Sequence, residues 1–362
     1  MKPENIKICL NAMVANEEPT ILRMLNSCYQ YIDYWVIQDN GSKDNTKELI
    51  SDFFHEKKIP GFLYEVEWKY PGWNRDHTLQ KALFAKHSCQ WILRMDADEE
   101  LKVDESFDWN ILKDVTVDSW NVAAEAGNYT YYRTWLWNSK RPWYFKHSQR
   151  HETIHINNDD FDFQRETLPT EFRHIVKNDG QTWANPTKFI VDGLELEKDL
   201  LSQDSMLTDD YHLYHLGKSY SDGYLTELPF GKNHQEEYAR RCIFYLKNYV
   251  HHNPNYIELC YYSLLLIGSA HAFLKEDSLA KEAWSLCSSW VPERNEHLFK
   301  LADFYEARGM YVQAYEICKK INESSRIYPF PNRYYLVDRD MYIDTGDKPV
   351  EYLNRLQRLI NG

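Results

Sequence analysis

Early in the chain, short apolar runs alternate with stretches whose apolar residues recur every three or four positions. Ile6, Ile8 and Leu10 alternate within a strand that continues to Val14. After Asn16-Glu17-Glu18-Pro19, the residues Ile21, Leu22, Leu25 and Cys28 share one face of a predicted helix. Pro19 suits its first turn, and the two glutamates suit the positive end of its dipole. YWVIQD (Tyr34 to Asp39) reads as a strand, NGSKDNT as a turn and cap, and Lys47 to Phe54 as a helix. GFLYEVEW then reads as a third strand, residues 75–87 as a third helix and WILRM as a fourth strand. This alternation predicts a parallel sheet with right-handed crossovers, in which ligands bind beyond the carboxyl ends of the strands. Asp39, Asp96 and Asp98 all fall at such ends.

The second half has another period. Leu264, Ile267, Gly268, His271, Ala280, Trp284 and Cys287 recur as Leu298, Leu301, Ala302, Tyr305, Ala314, Cys318 and Ile321, offset by 34 residues. The spacing resembles the tetratricopeptide repeat, in which small residues let two antiparallel helices approach. A diverged earlier copy begins at Leu213, Leu216, Gly217 and Tyr220, with an insertion around 222–235. An ordinary helical bundle is the alternative. A chain of 362 residues exceeds the size at which single cores stop growing, ~250 residues, so two domains are expected: 1–190 and 195–362.

Net charge is −13, which argues against a general nucleic-acid-binding surface. The seven cysteines are scattered, odd in number and without a C-x-x-C, which suggests buried free thiols in a reducing compartment. The first residues lack a signal-peptide pattern, and the apolar run Tyr261 to Phe273 is too short to span a bilayer and carries His271. A cytoplasmic location without stable membrane insertion is the expectation. The 12 Trp and 27 Tyr fit either stacking on sugars and bases or packing within a helical array.

The stretch WILRMDADEEL runs an apolar strand into Asp96, Asp98 and Glu99. Like charges so close repel, so the cluster is a solvated turn, a hydrolase carboxylate pair, or a site for a divalent cation that also holds a nucleotide diphosphate. Hard oxygen donors at i and i+2 suit Mn²⁺ or Mg²⁺. The neighbouring motifs favour the cation. VANEEPTILRMLNS, VIQDNGSKDNTKEL, WNRDHTLQKA and WILRMDADEEL together resemble the successive motifs of family-two glycosyltransferases of the GT-A fold. KRPWYFKHSQRHETI resembles that family's Trp-rich segment ending in His-Glu. NPTKFIVDGLELEKDL, YHLYHLGKSYSDG and RNEHLFKLADFYEARGMYVQAYEICKK resemble the helical extension of members with tetratricopeptide-like repeats. The resemblance implies a GT-A α/β domain over 1–190 followed by an all-α tetratricopeptide-like domain over 195–362.

It also implies roles. Asp39 would hydrogen-bond the nucleobase, and Asn16 and Glu17 would line the base and ribose pocket, with a helix cap as the other role for Asn16. Arg75 would meet the diphosphate, although Asp76 stands where the family has Asn. Asp96 would reach ribose or metal, Asp98 the metal (Mn²⁺ or Mg²⁺), and His151 the metal or a phosphate. Glu152 would be the base that takes the acceptor proton, or His151 and Glu152 a surface polar pair. Trp135, Trp137 and Trp143 would stack on an acceptor or pack between domains. Arg133, Lys140, Arg141 and Lys146 would serve an acidic acceptor or solvate a loop.

The implied activity is metal-dependent, inverting transfer from a nucleotide sugar, a UDP-sugar being expected, to a hydroxyl on a glycan, protein or modified DNA base. The helical domain would shape the acceptor site, bind a protein partner or form a homo-oligomer. The other reading is a catalytically silent GT-A domain serving as a scaffold.

Overall fold

The computed structural model describes residues 2–85, 88–146, 152–156, 164–180, 187–201, 211–225, 232–324, 337–338 and 348–361. Two compact units emerge, one of residues 1–127 and 131–185, the other of 128–130 and 186–362.

The first unit opens with β1 (Ile8–Val14), α1 (Ile21–Cys28), β2 (Tyr34–Asp39), α2 (Thr46–Lys57), β3 (Gly61–Glu65), α3 (Pro71–Phe84) and β4 (Trp91–Arg94). It continues with β5 (Glu99–Val103), β6 (Ser119–Ala126), β7 (Tyr129–Asn138), β8 (Trp143–Phe145), β9 (Ile154–Ile156), β10 (Arg165–Thr167) and β11 (Phe172–Val176). The sheet order is β3-β2-β1-β4-β7-β6-β11-β5, with β10 beside β6. β1 runs parallel to both β2 and β4, β2 runs parallel to β3, and β7 turns the sheet antiparallel at β4.

Strand alternation explains the two covered faces. Ile8, Leu10 and Ala12 point toward Ile21, Met24, Ile50 and Phe54 of α1 and α2. Cys9, Val36 and Ile92 point toward Leu79 and Ala82 of α3 and toward Trp137 and Trp143. Helix α1 starts later than its sequence suggests. Pro19 lies in the turn before it, Thr20 occupies the N-cap position, and Met24 is buried where Leu22 is exposed.

The second unit is helical: α4 (Lys188–Leu201), α5 (Tyr211–Tyr224), α6 (Lys232–His252), α7 (Ile257–Phe273), α8 (Asp277–Trp290), α9 (Glu296–Glu306), α10 (Tyr311–Ser324) and α11 (Lys348–Asn361). The 34-residue offset maps α7–α8 onto α9–α10, and each pair is a tetratricopeptide-like unit. Gly268 lets α7 and α8 touch: a Cβ there would lie 2.4 Å from Trp284 Nε1. Gly217 does the same for α5 and α6, where a Cβ would lie 2.5 Å from Leu246 Cγ. The diverged first copy therefore uses the same close approach. All seven cysteines are buried and free. No helix among the described residues is long and apolar enough to cross a membrane.

Candidate active site

Three strand ends define one edge of the sheet. Val14 of β1 is opposite Asp39, and Asn11 is opposite Arg94 two residues before Asp96. Asp39 and Asp96 therefore flank β1, two strand spacings or roughly 10 Å apart.

Asp39 is fully buried. Its Oδ1 accepts the backbone N–H of Gly41 (2.9 Å) and of Ser42 (2.8 Å), while Oδ2 has no hydrogen-bond partner. Gly41 sits at φ +91°, a left-handed value that glycine adopts without strain. One oxygen thus shapes the loop after β2, and the other is left for a ligand donor. Buried acceptors are seldom left unpaired, so this oxygen calls for an explanation.

Asn16 and Glu17 belong to the same loop system. Asn16, at φ +55°, donates its N–H to Ser42 Oγ (2.8 Å) and accepts from Lys43 N–H (2.8 Å). It bridges loops and does not cap α1, so the capping alternative falls. Glu17 donates its N–H to Thr46 Oγ1 (2.8 Å) and accepts from the Thr20 hydroxyl (2.7 Å).

A second group of charges gathers on the α3 side of β4. Arg75 of α3 donates to Asp96 Oδ1 (3.0 Å), and its Nε pairs with Glu152. Arg94 lies farther away, 3.5 Å from Asp96 Oδ1 and 3.7 Å from Glu152 Oε1. Burial alone would raise the Asp96 pKa, but Arg75, Arg94 and Arg133 outweigh it and hold the carboxylate well below the usual range. Burial among these cations pulls Arg94 down to about 10, against the pull of Asp96 and Glu152.

Behind them lies Glu99, almost completely buried. It accepts the Asp96 N–H (3.2 Å) and Arg133 Nη2 (2.7 Å), with His174 Nδ1 at 3.1 Å. The third acid of the cluster is therefore an anchor for the Asp96 turn. Arg133 in turn lies over Trp135, its Cζ 3.5 Å from the ring centre.

Asp98 differs from its neighbours, because it makes no ion pair among the described residues. Burial pushes its pKa up to about 6, with Asp96 and Glu99 adding to the effect. The sequence places a cation against the whole cluster. The structure supplies arginines to Asp96 and Glu99 and gives Asp98 no ion pair among the described residues, Arg23 interacting with it only at longer range.

No group of three or more His, Cys, Asp or Glu able to hold a metal ion occurs among the described residues. His151 lies outside the described residues. The donors present nonetheless fit a hard cation. Asp98 is a carboxylate in need of positive charge, and Gly180 leaves room beside it: a Cβ there would come within 3.2 Å of Asp98 Oδ2. Magnesium and manganese commonly take one or two carboxylates and complete their shell with water and phosphate oxygens.

Two residues with clear tasks receive no individual role from the sequence, Asn74 and Glu99. Asn74 is fully buried and ties the β3–α3 loop to the loop after β2. Its Oδ1 accepts from Lys69 N–H (2.9 Å), and its Nδ2 donates to Asn40 Oδ1 (3.0 Å). The departure at Asp76 also has a local role, since Asp76 accepts the Phe145 N–H at 2.9 Å and so joins α3 to β8. Trp135, Trp137 and Trp143 are buried within the first unit and unavailable for stacking on an acceptor. Arg141 pairs with buried Asp118 at 2.5 Å.

The profile of Glycosyl transferase family 2 matches residues 13–161. The chain carries a family 2 glycosyltransferase domain. The first unit accordingly holds a GT-A-type nucleotide-sugar transferase domain, and the second is built of tetratricopeptide-like helices.

Among solved structures, S. aureus TarS 1-349 is similar over 78% of this chain and 91% of that one, at 12% identity and a TM-score of 0.38. MamA is similar over 48% of this chain and 90% of that one, at 17% identity and a TM-score of 0.29. TTC0263, a TPR protein of Thermus thermophilus, is similar over 50% of this chain and 80% of that one, at 17% identity and a TM-score of 0.32. No curated protein matches the chain significantly.

Proposed function

We propose that the family 2 domain transfers a sugar from a UDP-sugar to a hydroxyl acceptor, with inversion and with a divalent cation. The observation that carries this reading is the pair of carboxylates flanking β1: Asp39, whose Oδ2 has no hydrogen-bond partner, and Asp98, which makes no ion pair among the described residues and whose pKa burial raises. A uracil ring offers an imide N–H to the first, and the second would hold a cation that offsets the charge of the diphosphate. Asp39 and the turn that begins at Asp96 lie two strand spacings apart, roughly 10 Å, so the base and the diphosphate would occupy separate strand ends.

In this reading Asp39 fixes the base, while Asn16 and Glu17 hold the loop that borders it. Asp98 is the direct cation ligand and Asp96 the carboxylate beside it, shared with Arg75. When bound, the cation neutralises charge developing on the leaving diphosphate. Arg75 turns from its carboxylate partners toward the diphosphate, and that movement frees Glu152. Glu152 then accepts the proton of the attacking hydroxyl, a contribution of ~10²–10⁴-fold.

The test is a panel of nucleotide sugars incubated with Mn²⁺ and scored for release of nucleoside diphosphate. UDP release from at least one UDP-sugar, lost on chelation and in Glu152→Gln with an acceptor present, supports the reading. Release that is indifferent to chelator contradicts the cation's role.

A further inference from the structure

Arg94 is the last residue of β4, and its guanidinium lies 3.5 Å from the carboxylate of Asp96, in the turn just beyond the strand. Only 11% of its side chain is exposed. A guanidinium carries five N–H donors in a planar fork. None of those of Arg94 makes a hydrogen bond among the described residues, and its buried Nε has no partner. Its contacts with charge are the two long ion pairs at 3.5 and 3.7 Å to Asp96 and Glu152. Better-placed arginines already serve the carboxylates nearby. Arg75 holds both Asp96 and Glu152, and Arg133 donates to Glu99 at 2.7 Å.

What keeps Arg94 in place is aromatic. Its Cζ stands 4.5 Å from the Trp135 ring centre and 5.6 Å from that of Phe145. The two π-faces orient the cation and leave its donors unused. A small cavity lined by Arg75, Thr78, Arg94 and Phe145 adjoins it. A buried cation with unsatisfied donors is unfavourable unless an anion completes it.

We propose that Arg94 is an oxyanion-binding residue of the donor site, whose free N–H groups take an anionic oxygen of the nucleotide sugar in addition to the contact made by Arg75. The proposal rests on the nucleotide-sugar reading given above. Its geometry is that of a planar fork between Asp96, on the cation side, and Glu152, on the proton-accepting side. The group it meets therefore lies where the distal phosphate joins the transferred sugar. Two oxyanions fit that place: a non-bridging oxygen of the distal phosphate, and a carboxylate on the sugar itself. Both match the fork, which a lysine ammonium cannot reproduce.

The experiment is calorimetric titration of the full chain with uridine, UDP, UDP-glucose and UDP-glucuronic acid, each with Mn²⁺. Wild type, Arg94→Lys and Arg94→Met are compared, with ligand-free melting temperatures as the check on folding. Arg94→Lys keeps the charge and the stem, so it covers the case in which Arg94→Met fails to fold. The expected result is at least a tenfold loss of affinity for an oxyanion-bearing ligand and unchanged affinity for uridine. Equal loss for UDP, UDP-glucose and UDP-glucuronic acid assigns the oxyanion to the phosphate. Loss confined to UDP-glucuronic acid assigns it to the sugar carboxylate and names the donor class. Wild-type affinity for all three phosphorylated ligands in the folded variants overturns the proposal alone. Failure of the wild type to bind any of the four ligands overturns the nucleotide-sugar reading, and the proposal with it.

Discussion

Both units bury arginines among carboxylates, and they differ in how fully those groups are used. In the helical unit, Arg294 is completely buried and donates through all three nitrogens. Nε and Nη2 reach Glu296 at 3.1 and 2.6 Å, and Nη1 reaches Glu258 at 2.8 Å. In the sheet unit, Arg94 makes no hydrogen bond at all among the described residues. The carboxylates show the same contrast. Both oxygens of Glu197 are taken, Oε1 by the Tyr245 hydroxyl and Oε2 by Tyr220 and Arg241. Asp39 keeps one oxygen unpaired, and Asp98 makes no ion pair among the described residues. A satisfied network fixes a fold, whereas a half-satisfied one is tolerated where a ligand completes it.

Mutating one charge in each unit separates the two kinds of network most clearly. Asp98→Ala should lower sugar transfer at least a thousandfold, about 4 kcal/mol, because it removes the cation's carboxylate. Its melting temperature without metal should stay level or rise, since the buried negative charge that Asp96 and Glu99 repel is gone. Steady-state kinetics and a thermal melt check both halves. Arg294→Met should do the opposite. Breaking a buried pair from one side costs about 3–5 kcal/mol, so chemical denaturation should show a large loss. UDP affinity of the fraction still folded should be unchanged.

A smaller effect tests whether the helical network is held in one protonation state. His297 is buried between Tyr261 and Ser288, and burial lowers its pKa to about 4, Glu296 opposing the shift and Arg294 adding to it. Its folded pKa lies below its unfolded value of 6.5. Below pH 6.5 the unfolded chain therefore takes up the proton first, and stability falls as pH drops toward 4. The contribution is fully present above pH 6.5. Between pH 7.5 and 5 the loss should be about 2 kcal/mol. Denaturation curves at the two pH values, compared with His297→Gln, should show that much less pH dependence in the variant.

How much of this is legible in the sequence depends on the kind of signal. Asp39, Asp96 and Asp98 stand out because an acid ending an apolar run breaks the strand pattern at a place where parallel sheets bind ligands. The helical pairs are legible from small residues at a fixed offset, and Gly268 and Gly217 show why size matters there. Arg94 is harder to read. A charge inside WILRM, an otherwise buried strand, is its signal, but a strand end commonly carries one. Glu99 is visible as part of the acidic cluster, yet its inward turn depends on Arg133 and His174, distant in sequence. The tryptophans cannot be sorted by pattern. An aromatic that packs in a core and one that stacks on a ligand have the same spacing, and burial by α3, β4 and β8 decides the case.

The most direct measurement is the affinity of the wild-type chain for UDP by titration calorimetry, once with Mn²⁺ and once with chelator. Binding should occur with Mn²⁺ and weaken at least tenfold when the cation is removed, because Asp98 and the diphosphate then face each other uncompensated. Equal affinity in the two conditions would contradict a cation site at Asp98. Absence of UDP binding up to millimolar concentration in both would contradict the donor site as a whole.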